Sequence, residues 1–174
     1  MDRNHLFILV VALATTSGAR ADWMPDAVFV EVGASSSSSH SLTAGAQWSW
    51  AWQGSLGNTQ ATAYTEVFVS HWNARDKVTL AGLLPMVRLR LRNGQSPWFM
   101  EGGIGATVSD SLYRNHGKAF STRFNFVDVV GVGRSLDAQR TREVTLRLSH
   151  VSNANIKKPN PGENFVQLRY AVRF

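Results

Sequence analysis

Thr141–Phe174 reads TREVTLRLSHVSNANIKKPNPGENFVQLRYAVRF, and two alternating segments in it flank a polar loop. In the first, Val144, Leu146, Leu148, His150 and Ser152 share one parity, and Thr145, Arg147 and Ser149 share the other. In the second, Val166, Leu168, Tyr170, Val172 and Phe174 alternate with Gln167, Arg169 and Arg173. Successive side chains of a strand point to opposite faces. Each segment is therefore a strand with an oily face and a polar face. His150 and Ser152 stand at the loop end of the oily face.

The same two-residue period runs back along the chain. Ala27–Val32 sets Val28, Val30 and Val32 against Phe29 and Glu31. Leu42–Trp52 places Trp48, Trp50 and Trp52 on one parity at one end, which fits an aromatic girdle at a membrane interface. Thr59–Trp72, Lys77–Leu91, Trp98–Val108 and Phe124–Gly133 continue the series. Pro85 marks a bulge or a break in the fourth segment. In the sixth, Asp128 falls among large apolar residues and leaves the parity open. Gly33–His40, with its five serines, and Ser109–Ser121 read as polar loops.

Eight segments of about ten residues suit tilted bilayer crossings. Opposite the apolar faces stand Glu31, Gln47, Glu66, Arg88, Arg90, Glu101, Arg169 and Arg173. Buried charges must be paired, and a narrow eight-stranded barrel filled with side chains would pair them. The alternative is a soluble sandwich or lipocalin-like barrel with its apolar face inward. The outward tryptophans, the charges on the other face and the terminal Phe174 favour an all-β, eight-stranded antiparallel transmembrane barrel.

Arg3, the apolar run Leu6–Ala14 and Ala19-Arg20-Ala21 form a secretory signal peptide, residues 1–21. A single barrel domain, 22–174, would remain, with its catalytic segment at 150–164. The expected location is the outer membrane, with membrane lipids around the barrel. Cysteine is absent, which excludes disulfides and thiolate metal sites. The net charge of +6 suits anionic lipid or polysaccharide. No Lys/Arg stripe is interleaved with aromatics, so nucleic acid is not the expected partner.

Nucleophilic catalysis needs a hydroxyl, a base and a group that orients the base. Ser152 and His150 supply the first two, roughly 7 Å apart along one strand face. Glu163 is the acid within reach in this segment. Asn153 could donate to an oxyanion. A His-x-Ser pair is common by chance, but polar groups on a lipid-facing wall are costly and mark function.

The run His150-Val151-Ser152-Asn153-Ala154-Asn155-Ile156, followed by Pro159-Asn160-Pro161-Gly162-Glu163-Asn164, resembles the signature of the lipid A 3-O-deacylases (the PagL family). Glu101–Gly105 and Trp48–Trp52 are similar more loosely. The resemblance implies an outer-membrane barrel that hydrolyses the ester at position 3 of lipid A and releases a 3-hydroxy fatty acid. It implies Ser152 as nucleophile, His150 as base, a glutamate as orienting acid and Asn153 at the oxyanion, without cofactor or metal. A second oxyanion donor is expected among the backbone amides of Ser109–Ser111. The family's glutamate stands fourteen residues after the histidine, where this chain has Asn164. Glu163, one residue earlier, is the expected acid. Lys157 and Lys158 are candidates for the phosphates of lipopolysaccharide.

Two other readings stand beside the deacylase: an outer-membrane phospholipase using the same triad, and a non-catalytic structural or adhesion barrel. A neutral histidine base would lose activity as pH falls through the ordinary histidine range, around 6.5. Oligomeric state is left open, a homodimer included.

Overall fold

A computed structural model describes residues 23–174, so the leader lies outside the described residues. Eight long strands close on themselves: β1 (Ala27–Ser35), β2 (His40–Leu56), β3 (Thr59–Asn73), β4 (Val78–Leu91), β5 (Trp98–Ser109), β8 (Phe124–Ser135), β9 (Arg142–Ser152) and β10 (Glu163–Arg173). Between β5 and β8, a two-stranded hairpin, β6 (Arg114–Asn115) and β7 (Lys118–Ala119), interrupts what the sequence suggested was an unstructured loop. All barrel neighbours are antiparallel, and β1 meets β10 from Ala27↔Arg173 to Ser35↔Phe165. Among the described residues, closure leaves no unpaired edge in the barrel, as a bilayer demands.

The wall has the expected polarity. Val30, Val32, Leu42, Val67, Val69, Leu83, Ile104, Val130, Leu148, Val166 and Leu168 are all exposed on the outside. The parity of β8 is now settled. Val127 and Val129 are buried, whereas Asp128 and Val130 face outward. In β2 the register shifts between Ser49 and Gln53, so the chain bulges at the tryptophans. The Trp48 indole donates to the Trp23 carbonyl at 3.0 Å, and the Trp50 indole donates to Thr65 Oγ1 at 3.0 Å. Pro85 makes a gap in the β4–β5 ladder, not a bulge; the register is the same on either side of it.

Inside, the carboxylates of Glu31, Glu66, Glu101 and Glu143 and the guanidinium groups of Arg88, Arg90, Arg147 and Arg169 are buried together, and a fifth buried carboxylate, Glu163, pairs with Lys118 instead. Arg147 joins Glu66 at 2.8 Å and Glu101 at 2.5 Å; Arg88 joins Glu101 and Glu143, each at 2.8 Å. Arg169 pairs with Glu66. A buried ion costs several kcal/mol unless partnered, so this lattice is what makes a polar barrel interior tolerable. Three glycines make room for facing rings: Phe29, Phe68 and Phe99 lie directly across from Gly45, Gly82 and Gly133, where any Cβ would strike the ring.

Above the lattice, Trp72, Tyr113, Phe120 and Phe165 fill one mouth. Trp72 meets Phe165 at 4.7 Å and Tyr113 at 5.4 Å between ring centroids. This plug fixes the hairpin loop over the end of the barrel that carries His150 and Ser152.

Candidate active site

His150 and Ser152 sit at the loop end of β9 on the outer wall, both half-buried. Their neighbours follow from the register. Across the β8–β9 ladder, Phe126 stands opposite Ser152 and Asp128 opposite His150. On the other side, Asn164 of β10 stands opposite His150. His150 Nδ1 lies 2.6 Å from Asn164 Oδ1. The amide oxygen can only accept, so Nδ1 carries the proton, and in the neutral ring Nε2 is the nitrogen with the lone pair. Among the described residues, the Ser152 hydroxyl has no hydrogen-bond partner. The pair shares a face as expected, and His150 gives its ring hydrogen bond to Asn164 and not to Ser152.

Glu163 does not orient His150, which corrects the sequence expectation. It is the first residue of β10 and points inward, fully buried. Its carboxylate accepts from the Tyr113 hydroxyl at 2.5 Å and the Ser37 hydroxyl at 2.5 Å, and pairs with Lys118 Nζ at 3.1 Å. Strand alternation is the reason: Glu163 shares the parity of buried Phe165, and Asn164 that of exposed Val166.

Asn153 is also corrected. It follows Ser152 and so turns to the other face, where it is buried. Its amide donates to the Lys157 carbonyl at 2.7 Å and to Ser121 Oγ at 3.0 Å, and Ser121 Oγ donates to the same carbonyl at 2.7 Å. This clasp ties the hairpin loop to the loop after β9 and leaves the amide unavailable to an oxyanion. The Ser109–Ser111 amides are engaged as well. Ser109 N–H donates to the Arg123 carbonyl at 3.0 Å and Asp110 N–H to the Thr79 carbonyl at 2.9 Å. The Ser111 amide serves the Asp110 carboxylate, which the Thr79 amide and these Ser111 donors hold below the usual carboxylate range.

The chain leaves Ser152 through a tight turn. Ala154 and Asn155 both have positive φ, 52° and 62°, and Ile156 N–H returns to the Asn153 carbonyl at 3.0 Å. That is a turn with two left-handed central residues. Lys157 and Lys158 follow, exposed on the loop. At the loop's far end Gly162, with φ 64°, lies against the His150 ring; a Cβ there would come within 2.5 Å of Cε1. Gly162 and Asn164 are the two neighbours of the His150 ring that residue chemistry alone passed over. The glycine's only signal was its place in the Pro-Asn-Pro-Gly run, and the asparagine's was its parity.

Against this geometry, residues 42–173 match the family model described as lipid A 3-O-deacylase (PagL). The chain belongs to this family. Over 77 residues it is 43% identical to the lipid A deacylase PagL of Bordetella bronchiseptica, a match covering 44% of this chain and 42% of that protein. The chain thus spans less than half the length of this curated relative in the match. The fold is similar to the crystal structure of the outer membrane enzyme PagL, with a TM-score of 0.75 and 24% identity over 85% of this chain and 99% of that one. The closed barrel with its apolar outer wall is that of an outer-membrane protein.

Proposed function

We propose that the chain is a lipid A deacylase that cuts the ester at position 3, releasing a 3-hydroxy fatty acid, with Ser152 as nucleophile and His150 as base. The observation that carries this reading is a histidine tethered through Nδ1 on the lipid-facing wall, two residues from an unengaged serine hydroxyl. The site's depth suits an acyl ester, since it lies where the apolar wall gives way to polar loops.

In this reading Ser152 Oγ rotates toward Nε2, passes its proton there and attacks the ester carbonyl. The tetrahedral intermediate collapses as His150 returns the proton to the sugar oxygen, which leaves as a hydroxyl. Water then opens the acyl-enzyme by the same route in reverse. Asn164 fixes the tautomer in the role an acid plays in a Ser-His-Asp triad, as the asparagine does in Cys-His-Asn sites. Lys157 and Lys158, exposed beside the site, suit the phosphates of lipid A. The leader at 1–21 would direct export.

Mass spectrometry of lipid A from Gram-negative cells expressing the protein tests the reaction. Loss of one 3-hydroxyacyl group with the wild type, and none with Ser152→Ala at equal barrel content, is the expected result. Unchanged lipid A with acyl loss from glycerophospholipids would replace this reading with a phospholipase.

A further inference from the structure

The sequence left Asp128 as an acid among apolar residues. The structure puts it on the outer wall, directly across the β8–β9 ladder from His150, with Ile104 as its neighbour on β5. It is exposed, and among the described residues its carboxylate has no hydrogen bond or ion pair. The outward positions around it are apolar: Ile104, Val130 and Leu148 are each more than half exposed. No other outward position of the eight described barrel strands carries a carboxylate. A lone carboxylate at a lipid-facing position is expensive and calls for a functional reason.

Directly opposed side chains on one sheet face have Cβ atoms about 4.5–5.5 Å apart. At that range, in the low dielectric of a lipid boundary, a carboxylate favours the protonated form of a neighbouring imidazole. His150 has one other cross-strand neighbour, Asn164, and it is neutral. Lys157 and Lys158, in the loop after β9, are both exposed cations. Glu163 of β10 is turned into the barrel and paired with Lys118.

We propose that Asp128 is the charged partner of His150. Asn164 sets the tautomer, and Asp128, from the opposite strand, stabilises the imidazolium that forms when Ser152 gives up its proton. The two jobs that one acid performs in a Ser-His-acid triad are thereby divided between two strands. This rests on the assignment of Ser152 and His150 above, with Asp128 acting as a positioning residue through His150.

The test has two independent readouts on the full-length barrel refolded in detergent micelles. The first needs no substrate: NMR titration of the His150 ring, assigned by comparison with His150→Gln. Asp128→Asn is expected to lower the titration midpoint by about one unit or more, and Asp128→Glu to leave it near the wild-type position. An unmoved midpoint in a folded Asp128→Asn barrel overturns the proposal. The second is turnover of lipid A. Asp128→Asn is expected to lower kcat at least tenfold with KM little changed and to move the acid limb of the pH profile downward. Adding Asn164→Glu to Asp128→Asn is expected to restore kcat by returning a carboxylate to the ring. Failure of that rescue, or full kcat in Asp128→Asn, also overturns it. A shifted titration with no lipid A turnover in the wild type would instead discard the substrate assignment and leave the pairing standing.

Discussion

Asn164 Oδ1 meets His150 Nδ1 at 2.6 Å, so an amide occupies the position from which an acid would orient the proposed base. Removing it frees the ring to rotate and to take the wrong tautomer. Asn164→Ala is expected to lower kcat on the order of 100-fold, within the usual range for general-base contributions, with the barrel intact. Asn164→Asp is the contrasting variant. Its shorter-range charge can hold the same proton, so it should retain much of the activity. Turnover of lipid A at fixed pH, with folding checked by heat-modifiable mobility on gels, decides between them.

Gly162 is the second contact on the same ring. Its φ of 64° already disfavours a side chain, and a methyl group would overlap the imidazole. Gly162→Ala is expected to displace His150 from Asn164 and abolish most activity. The backbone penalty of about 1 kcal/mol should be absorbed by the barrel. An active Gly162→Ala enzyme would show that the ring does not work from its observed position.

These two residues also mark how far the chain can be read unaided. Alternation was enough to derive the barrel, its inward charges and its outward valines, because a period of two leaves no freedom once one face must be apolar. The same rule, applied one step further, separates Glu163 from Asn164: Val166 and Leu168 are outward, so position 164 is outward and 163 is not. Side-chain chemistry favoured the glutamate; geometry favours the asparagine. Asn153 lies away from Ser152 for the same reason, being one residue on and hence on the other face. What alternation could not give is the loop clasp through Ser121, the hairpin β6–β7 and the contact of Gly162 with His150. The clasp and the glycine contact join separate segments through turns whose path has no periodic signal, and the two-residue strands of the hairpin are too short to show a period.

Glu163 then has a structural task that can be measured. It joins Ser37, Tyr113 and Lys118 from two separate loops beneath the mouth of the barrel. Breaking a buried ion pair costs roughly 3–5 kcal/mol, and less is expected here because the Lys118 side chain is 26% exposed. Glu163→Ala should therefore unfold at a distinctly lower temperature, and Glu163→Gln, which keeps an acceptor for Tyr113, should fall in between. The pH profile of turnover should keep its wild-type shape in Glu163→Gln. A changed acid limb would mean that the carboxylate communicates with His150 after all.

The clasp of Asn153 and Ser121 on the Lys157 carbonyl is the remaining link between the hairpin loop and the segment that follows Ser152. Its three polar groups are mutual partners, so deleting one leaves the others short of a hydrogen bond at about 1–3 kcal/mol. Asn153→Ala and Ser121→Ala should each lower stability, and the double variant should cost less than the two added together, since they remove one shared network. Both should also raise KM more than they lower kcat, because neither side chain reaches the reacting atoms while both shape the loop bearing Lys157 and Lys158. Additive losses in thermal unfolding would show that the two residues act separately. A fall confined to kcat in Asn153→Ala would return the amide to the oxyanion.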